Sequence, residues 1–269
     1  MIGSLIGSLI GSLIPATILF TIPEKNGDPT QYTAVWARKG VAMAQSLGYK
    51  VVVLEKDQTT YQNVTKALEK YRPKVFVHMG HGCKASLQGN RECIVTRKFS
   101  IDELFDLAES EDFEDHQKLR GLLNPMGRLS CPGICKLDES IDPCAQYCLH
   151  PTNVNLLKDT ITFAVACFSG DQLGPSAISY GGRAYIGYSD LMLFPADSMG
   201  SQYMFGDTQL SFLKQFLLGH TVGESEAVMG EEEDKIIRKF KPIKYISLPT
   251  LFNKLNRKVL GDINATIYS

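Results

Sequence analysis

Short apolar runs alternate with amphipathic stretches along most of the chain. The runs are rich in β-branched residues and have no polar face, which is typical of parallel strands buried on both sides. They fall at 16–22, 51–54, 75–78, 161–166 and 184–188. The alternation predicts an α/β domain with a three-layer αβα architecture, in which helices cover both faces of a mainly parallel central sheet.

The stretches between the runs carry helix start and stop signals. A helix is predicted between Asp28-Pro29 and Gly48, with Trp36 and Leu47 on its apolar face. This helix would pack against the predicted sheet.

Two further helix starts are indicated by the spacing of capping boxes. Thr59 with Gln62 and Thr221 with Glu224 each place a hydroxyl three residues before a Gln or Glu. An amphipathic helix is also expected at about 201–218. Each predicted helix follows an apolar run or precedes the next, as the layered architecture requires.

The first residues form a separate segment. Three tandem copies of Ile-Gly-Ser-Leu occupy 2–13, and no charged side chain occurs before Glu24. An uncharged stretch of this length can span a bilayer, but no Lys or Arg flanks its N-terminal side, and 16–22 is needed as a strand. We expect 1–15 to be a tail outside a single domain at 16–269, and membrane association through this tail remains open.

Composition narrows the classes of protein that fit. The 269 residues are 44% hydrophobic and 21% charged, with a formal net charge of −1. This excludes a disordered chain, a collagen repeat and a coiled coil, and it gives no reason to expect nucleic acid as a partner. The chain has seven cysteines, and their redox state leaves localisation open between the cytoplasm and a secreted or membrane-associated site.

Reactive side chains follow two of the predicted strands. The run at 75–78 leads into His81, and the run at 161–166 leads into Cys167. Ligands of open parallel sheets bind beyond the carboxyl ends of the strands, so these side chains face one another if the strands are neighbours. A Cys–His pair is the minimal apparatus for nucleophilic acyl transfer. The glycines at these strand ends let the backbone approach a substrate closely, and exposed main-chain N–H groups there can stabilise an oxyanion.

Several segments resemble a known family. Val-His-Met-Gly-His-Gly at 77–82 and Val-Ala-Cys-Phe-Ser-Gly at 165–170 resemble the two active-site signatures of the caspase-fold (clan CD) cysteine peptidases. That group includes caspases, legumains, gingipains, clostripains, separases and CHAT domains. Downstream, the segments at 181–190, 218–224 and 259–264 are similar to those of the gingipain, clostripain and CHAT types.

The resemblance covers about residues 16–268 and implies a caspase-like catalytic domain. It implies a cysteine endopeptidase acting through a thioester, with His81 as the catalytic imidazole, Cys167 as the nucleophile, and Gly82 and Cys167 as the oxyanion donors. His78 is the competing imidazole, and we expect it to be structural because it lies in a strand. No cofactor is implied for catalysis, and the partner is a peptide or protein substrate. The alternative is a catalytically silent or regulatory caspase-like domain that binds peptides or proteins.

Substrate preference is also suggested by the resemblance. CHAT- and separase-like members place an aspartate after the strand that follows the nucleophile, and Asp190 stands at the corresponding position. It is predicted to pair with a P1 Arg or Lys, and Asp171 is a second S1 candidate. The caspase signature is not matched, because Ser169 precedes Gly170. Specificity for a P1 aspartate is therefore not implied.

An insertion is predicted at 83–158, between the strands that lead to the two reactive residues. Its cysteines include two pairs with x3 spacing, Cys131 with Cys135 and Cys144 with Cys148. Two close pairs can hold a structural zinc ion or form two disulfides in an oxidising compartment, and both alternatives stay open, as does the absence of either. The position of the insertion suggests a lid or a substrate-selecting element.

Overall fold

A computed structural model gives the fold. It describes residues 15–24, 30–83, 86–89, 94–95, 135–136, 147–193 and 200–269. The predicted tail, apart from Pro15, lies outside the described residues, and so do Cys131 and Cys144.

Strands and helices alternate along most of the described chain. The strands are β1 (Thr17–Ile22), β2 (Lys50–Glu55), β3 (Val75–Met79), β4 (Gly82–Cys83), β5 (Ser86–Gln88), β6 (Ile94–Val95), β7 (Cys135–Lys136), β8 (Tyr147–Leu149), β9 (Ile161–Val165), β10 (Ala184–Tyr188) and β11 (Arg257–Gly261). The helices are α1 (Thr30–Ser46), α2 (Tyr61–Tyr71), α3 (Leu173–Ser179), α4 (Gln202–Leu217), α5 (Val222–Lys239) and α6 (Lys244–Asn256). Short 3₁₀ turns lie at Lys56–Gln58 and Val154–Leu157.

A six-stranded sheet forms the centre of the molecule, in the order β11-β10-β9-β3-β1-β2. Neighbouring strands from β2 to β10 are parallel, and β11 runs antiparallel to β10. The five predicted strands are all present, so the prediction of a three-layer αβα fold with a mainly parallel sheet is confirmed. Only the antiparallel edge strand β11 lacked a sequence signal, because its side chains are mostly half-buried and do not form an apolar run.

Burial on both sides explains why the strands have no polar face. In β1, Ile18 and Phe20 belong to one hydrophobic cluster, whereas Leu19 belongs to the other. The first cluster includes side chains of α1, α4 and α5, and the second includes side chains of α2 and α3. Successive side chains of a strand point to opposite faces, so each helical layer covers one set. Burying large apolar side chains contributes roughly 1.5–3 kcal/mol each.

The ends of α1 test the sequence prediction. Gly48 adopts a left-handed conformation with φ +83°, which fits its predicted role in closing the helix. Trp36 is fully buried, as expected. The prediction for Leu47 is wrong: it follows the last helical residue, and 42% of it is exposed. The helix has already ended there, so the side chain no longer follows its apolar face.

The caps of α2 and α5 are set by hydroxyl groups. At α5 the capping box is confirmed, because Thr221 Oγ1 accepts from Glu224 N and Glu224 Oε2 accepts from Thr221 N. At α2 the predicted cap is wrong by one residue. Thr60 accepts from the main chain of Asn63 there, while the Thr59 hydroxyl donates to a carbonyl of β2.

A small antiparallel sheet, β4-β5-β8, continues from the end of β3. Cys148, Leu149, Val154 and Leu157 are fully buried in the same hydrophobic cluster as α2. The last part of the predicted insertion therefore packs into the main core. None of the helices in the described part of the chain is long and apolar enough to cross a membrane.

Candidate active site

The strands that lead to His81 and Cys167 are neighbours. β3 and β9 pair in parallel, with His78 opposite Ala164 and Met79 opposite Val165. The pairing continues past β3, because Gly80 N donates to Val165 O at 3.1 Å. The backbones of His81 and Cys167 therefore leave the same edge of the sheet side by side. That their side chains face one another stays a prediction.

Glycine is required on both sides of His81 by close packing. A Cβ atom added to Gly82 would lie 2.5 Å from Cys167 O and 2.9 Å from Ala166 Cβ. One added to Gly80 would overlap the ring of Pro23. Since non-bonded carbon atoms prefer separations of about 3.5–4.0 Å, neither position accepts a side chain without movement. The His81 loop is thus pressed directly against the Cys167 loop.

His78 is fully buried and joins β1 to the His81 loop. Its Nε2 lies 3.1 Å from His81 O, and its Nδ1 lies 2.9 Å from Thr21 Oγ1. A carbonyl only accepts, so Nε2 carries the hydrogen and Nδ1 accepts from Thr21. Burial lowers the pKa of His78 to about 4, so the ring is neutral at neutral pH. It fits the structural role expected for it.

A second cysteine contacts this buried histidine. Cys148 Sγ lies 3.7 Å from His78 Nδ1 and 3.5 Å from Leu87 O. The molecule therefore contains a buried Cys–His contact that no sequence signal predicted. Burial raises the pKa of the Cys148 thiol to about 12, and both side chains are fully inaccessible. This pair is neutral and closed to substrate, whereas the pair at the strand ends lies at the edge of the sheet.

The structure describes only two of the four cysteines on which the zinc and disulfide predictions rest, Cys135 and Cys148. Cys148 is a free thiol inside the core. Cys135 lies in β7, where its backbone pairs with Val95. Cys131 and Cys144 lie outside the described residues, so both alternatives stay predictions. Among the residues that the structure describes, no group of three or more His, Cys, Asp or Glu side chains is arranged to hold a metal ion.

Cys167 begins a tight turn at the end of β9. Phe168 has φ +55°, an uncommon conformation for a residue with a side chain. Ser169 holds the turn from inside, because its hydroxyl lies 2.8 Å from Ala166 O and accepts from Tyr188 N at 3.2 Å. Ser169, which separates this sequence from the caspase signature, thus has a structural reason to be present.

The sulfur of Cys167 is partly enclosed. Only 7% of the residue is exposed. Its Sγ accepts a hydrogen bond from Met192 N at 3.2 Å. The loop that follows β10 therefore contacts the proposed nucleophile directly.

The structure separates the two S1 candidates. Asp190 is 2% exposed and adjoins the Cys167 turn, since Phe168 N donates to Asp190 O at 2.7 Å. Its carboxylate oxygen Oδ1 accepts from Leu191 N at 2.7 Å. Asp171 is exposed at the other side of the turn. Both candidates thus adjoin the Cys167 turn, since Asp171 N also donates to Phe168 O at 3.1 Å, and they differ in exposure.

Two contributors to this site escaped the sequence analysis. Thr21 lies in an apolar run, where a single hydroxyl does not indicate a role in a site. A histidine in such a run, as at His78, does stand out. Asn253 lies on α6, a helix that no pattern predicted, and contacts Leu193 across 60 positions of sequence. Contacts over such separations depend on the completed fold.

No model of a known protein family matches the chain, and no curated protein matches it either. The mainly parallel sheet with its helical layers and the Cys148–His78 contact are compatible with a caspase-like fold without being specific to it.

Proposed function

We propose that this chain is a caspase-like cysteine endopeptidase with Cys167 as the nucleophile and His81 as the acid–base group. One observation carries the proposal: β3 and β9 are adjacent, and Gly82 packs against the carbonyl of Cys167. An imidazole-bearing loop and a thiol-bearing turn thus meet where open parallel sheets bind their ligands. The Cys148–His78 contact is fully buried, whereas His81 is partly exposed and 7% of Cys167 is exposed, which favours the strand-end residues as the reactive ones.

The proposed reaction has two halves. Cys167 Sγ attacks the carbonyl carbon of the scissile peptide bond, and the thiol proton passes by way of His81 to the leaving amine as the C–N bond breaks. A thioester then joins the acyl group to Sγ. Water, deprotonated by His81, attacks this thioester, releases the carboxylic acid and restores the thiol. Main-chain N–H groups of Gly82 and Cys167 are the proposed oxyanion donors.

A basic P1 residue is the proposed substrate preference. Asp190 supports it, because a buried carboxylate next to the nucleophile turn suits a guanidinium or ammonium group. A charge pair shielded from water discriminates strongly against neutral side chains. Asp171 is exposed and is the weaker candidate.

The deciding experiment measures cleavage of reporter peptides that end in Arg, Lys, Leu or Asp. We expect cleavage after Arg and Lys, and its loss in Cys167→Ala and in His81→Ala. Cys148→Ala is the matched control, because it removes the other described free thiol from a closed site. Cleavage that survives Cys167→Ala, or is absent from the unmodified protein under all activating conditions, would contradict the proposal.

A catalytically silent, peptide-binding domain is the second candidate. It is favoured by the low exposure of Cys167 and by the contact of its sulfur with Met192 N. Labelling with iodoacetamide separates the two candidates. An enzyme should be modified rapidly and in a pH-dependent manner at Cys167, and His81→Ala should remove that reactivity. In a silent domain, Cys167 should be labelled slowly, and His81→Ala should leave the labelling rate unchanged.

A further inference from the structure

The segment after β10 directs three consecutive main-chain N–H groups at side chains, one from the preceding residue and two from distant parts of the fold. The three bonds run from Leu191 N to Asp190 Oδ1 at 2.7 Å, from Met192 N to Cys167 Sγ at 3.2 Å, and from Leu193 N to Asn253 Oδ1 at 2.7 Å. These residues form no strand or helix. Their N–H groups nevertheless all have acceptors, as buried N–H groups must. The middle donor, Met192 N, bonds to the sulfur of Cys167.

Asn253 holds this segment at two points. Its Oδ1 accepts from Leu193 N, and its Nδ2 donates to Leu193 O. The side-chain amide therefore pairs with Leu193 as the backbone of a neighbouring strand would. Asn253 is 2% exposed and Leu193 is fully buried, so water does not compete for these bonds. The pair fixes the peptide next to Met192 N.

A hydrogen bond to sulfur has a different strength in the two protonation states of cysteine. A thiol is a weak acceptor, whereas a thiolate carries a full charge, and bonds to charged groups are roughly twice as strong as neutral ones. Met192 O also lies 4.0 Å from Sγ and accepts the hydrogen of the thiol, but this contact is at the limit of a hydrogen bond to sulfur. The fixed N–H at 3.2 Å is the stronger of the two and favours the thiolate. A main-chain N–H cannot be lost by titration, so this support persists across the working pH range.

We propose that Met192 N–H stabilises the thiolate of Cys167 and that Asn253 is the positioning residue that holds this donor in place. The inference rests on the proposed function, in which Cys167 is the nucleophile. It adds a second source of thiolate stability beside His81. Asn253 itself touches neither the sulfur nor the substrate and acts only through the 191–193 segment.

The test is the rate of iodoacetamide alkylation of Cys167 as a function of pH, followed by mass spectrometry of the peptide that contains it. In Asn253→Ala we expect the rate at pH 7 to fall about tenfold and the midpoint of the pH profile to rise by about one unit. The matched control is Asn256→Ala. Asn256 lies on the same helix and is also buried, but its side chain bonds only to Phe252 O of that helix.

A second variant isolates the donor from the helix. Replacing Met192 by its α-hydroxy analogue turns the N–H into an ester oxygen and leaves Asn253 intact. The same slowing is expected, with thermal unfolding recorded for both variants to show that they are folded. Unchanged alkylation in the two variants would overturn the inference, and so would faster alkylation, which would mean that the segment shields the sulfur. Because no peptide substrate is used, this outcome is distinguishable from a failure of the peptidase proposal.

Discussion

The ring of His78 lies 3.1 Å from the main-chain oxygen of His81, so a fully buried histidine holds the loop that carries a half-buried one. The same oxygen also accepts from Gln88 N at 3.0 Å. Two donors from different strands thus fix the backbone of His81. Small displacements of a catalytic group reduce the reaction rate strongly. The two hydrogen bonds to His81 O are therefore a direct target for experiment.

Removing the ring should affect turnover more than binding. For His78→Leu we expect kcat to fall at least about tenfold, with KM little changed. The free energy of unfolding should fall by about 1–3 kcal/mol, because the buried hydrogen bonds of the ring with Thr21 and His81 O are lost. His78→Gln supplies an N–H near the position of Nε2 and should recover part of kcat. Steady-state kinetics and denaturant titration measure both effects. An unchanged kcat in the folded leucine variant would show that His78 does not position His81.

Stability should depend on pH through the same residue. Burial lowers the pKa of His78 from 6.5 to about 4, so between these values the unfolded chain binds a proton that the folded protein does not. The contribution of His78 is therefore complete above pH 6.5 and is lost as the pH falls towards 4, by about 3 kcal/mol in all. Urea titrations at several pH values should show this slope, and His78→Gln should flatten it. A slope of equal size in that variant would assign it to other groups.

The preference for basic P1 residues should depend on Asp190. Asp190→Asn keeps an oxygen that can accept from Leu191 N but removes the charge. We expect kcat/KM for Arg- and Lys-ended peptides to fall about 30-fold or more, as for a truncated buried charge pair, and that for Leu-ended peptides to change little. Asp171→Asn is the matched control, because its carboxylate is exposed. An unchanged preference in Asp190→Asn would remove this residue from the S1 pocket.

The contact between the loops that carry His81 and Cys167 predicts a strong effect of a single methyl group. Gly82→Ala would push against Cys167 O, a backbone atom that cannot turn aside. We expect a loss of about 1–3 kcal/mol in unfolding free energy and a marked fall in peptide cleavage. Gly223→Ala, in α5, is the control. A Cβ atom at Gly223 would meet Ile263 at the ordinary contact distances of 3.4 and 3.6 Å. A fully active and stable Gly82→Ala protein would contradict the packing described here.

The sequence was sufficient for the five parallel strands of the sheet and for the two strand ends, because those depend on local patterns. The antiparallel edge strand β11 has no apolar run and was not predicted. Continuous apolar runs identify parallel strands, and parallel order brings the ends of β3 and β9 to one edge. The supporting contacts follow from tertiary structure instead. Cys148 reaches His78 across 70 positions, and Asn253 reaches Leu193 across 60. Neither pair has a periodic or spacing signal.

The predictions for the cap of α2 and for Leu47 at the end of α1 were wrong for a different reason. Thr59 and Thr60 are adjacent hydroxyl residues that are both suited to capping, and only the path of the chain after β2 decides between them. Leu47 fits the helical period of α1, but the helix ends one residue earlier. Boundaries of elements are set by such small differences.

The small sheet formed by β4, β5 and β8 has a consequence for the evolution of the chain. Gln88 and Tyr147 face one another in adjacent strands, so the stretch between them starts and finishes at points about 5 Å apart. Segments with neighbouring ends can be lengthened, shortened or exchanged at little cost, since doubling a loop costs only about 0.6 kcal/mol. Insertions at this position would lie next to His81, the proposed acid–base group, and would leave the pairing of β3 with β9 unchanged.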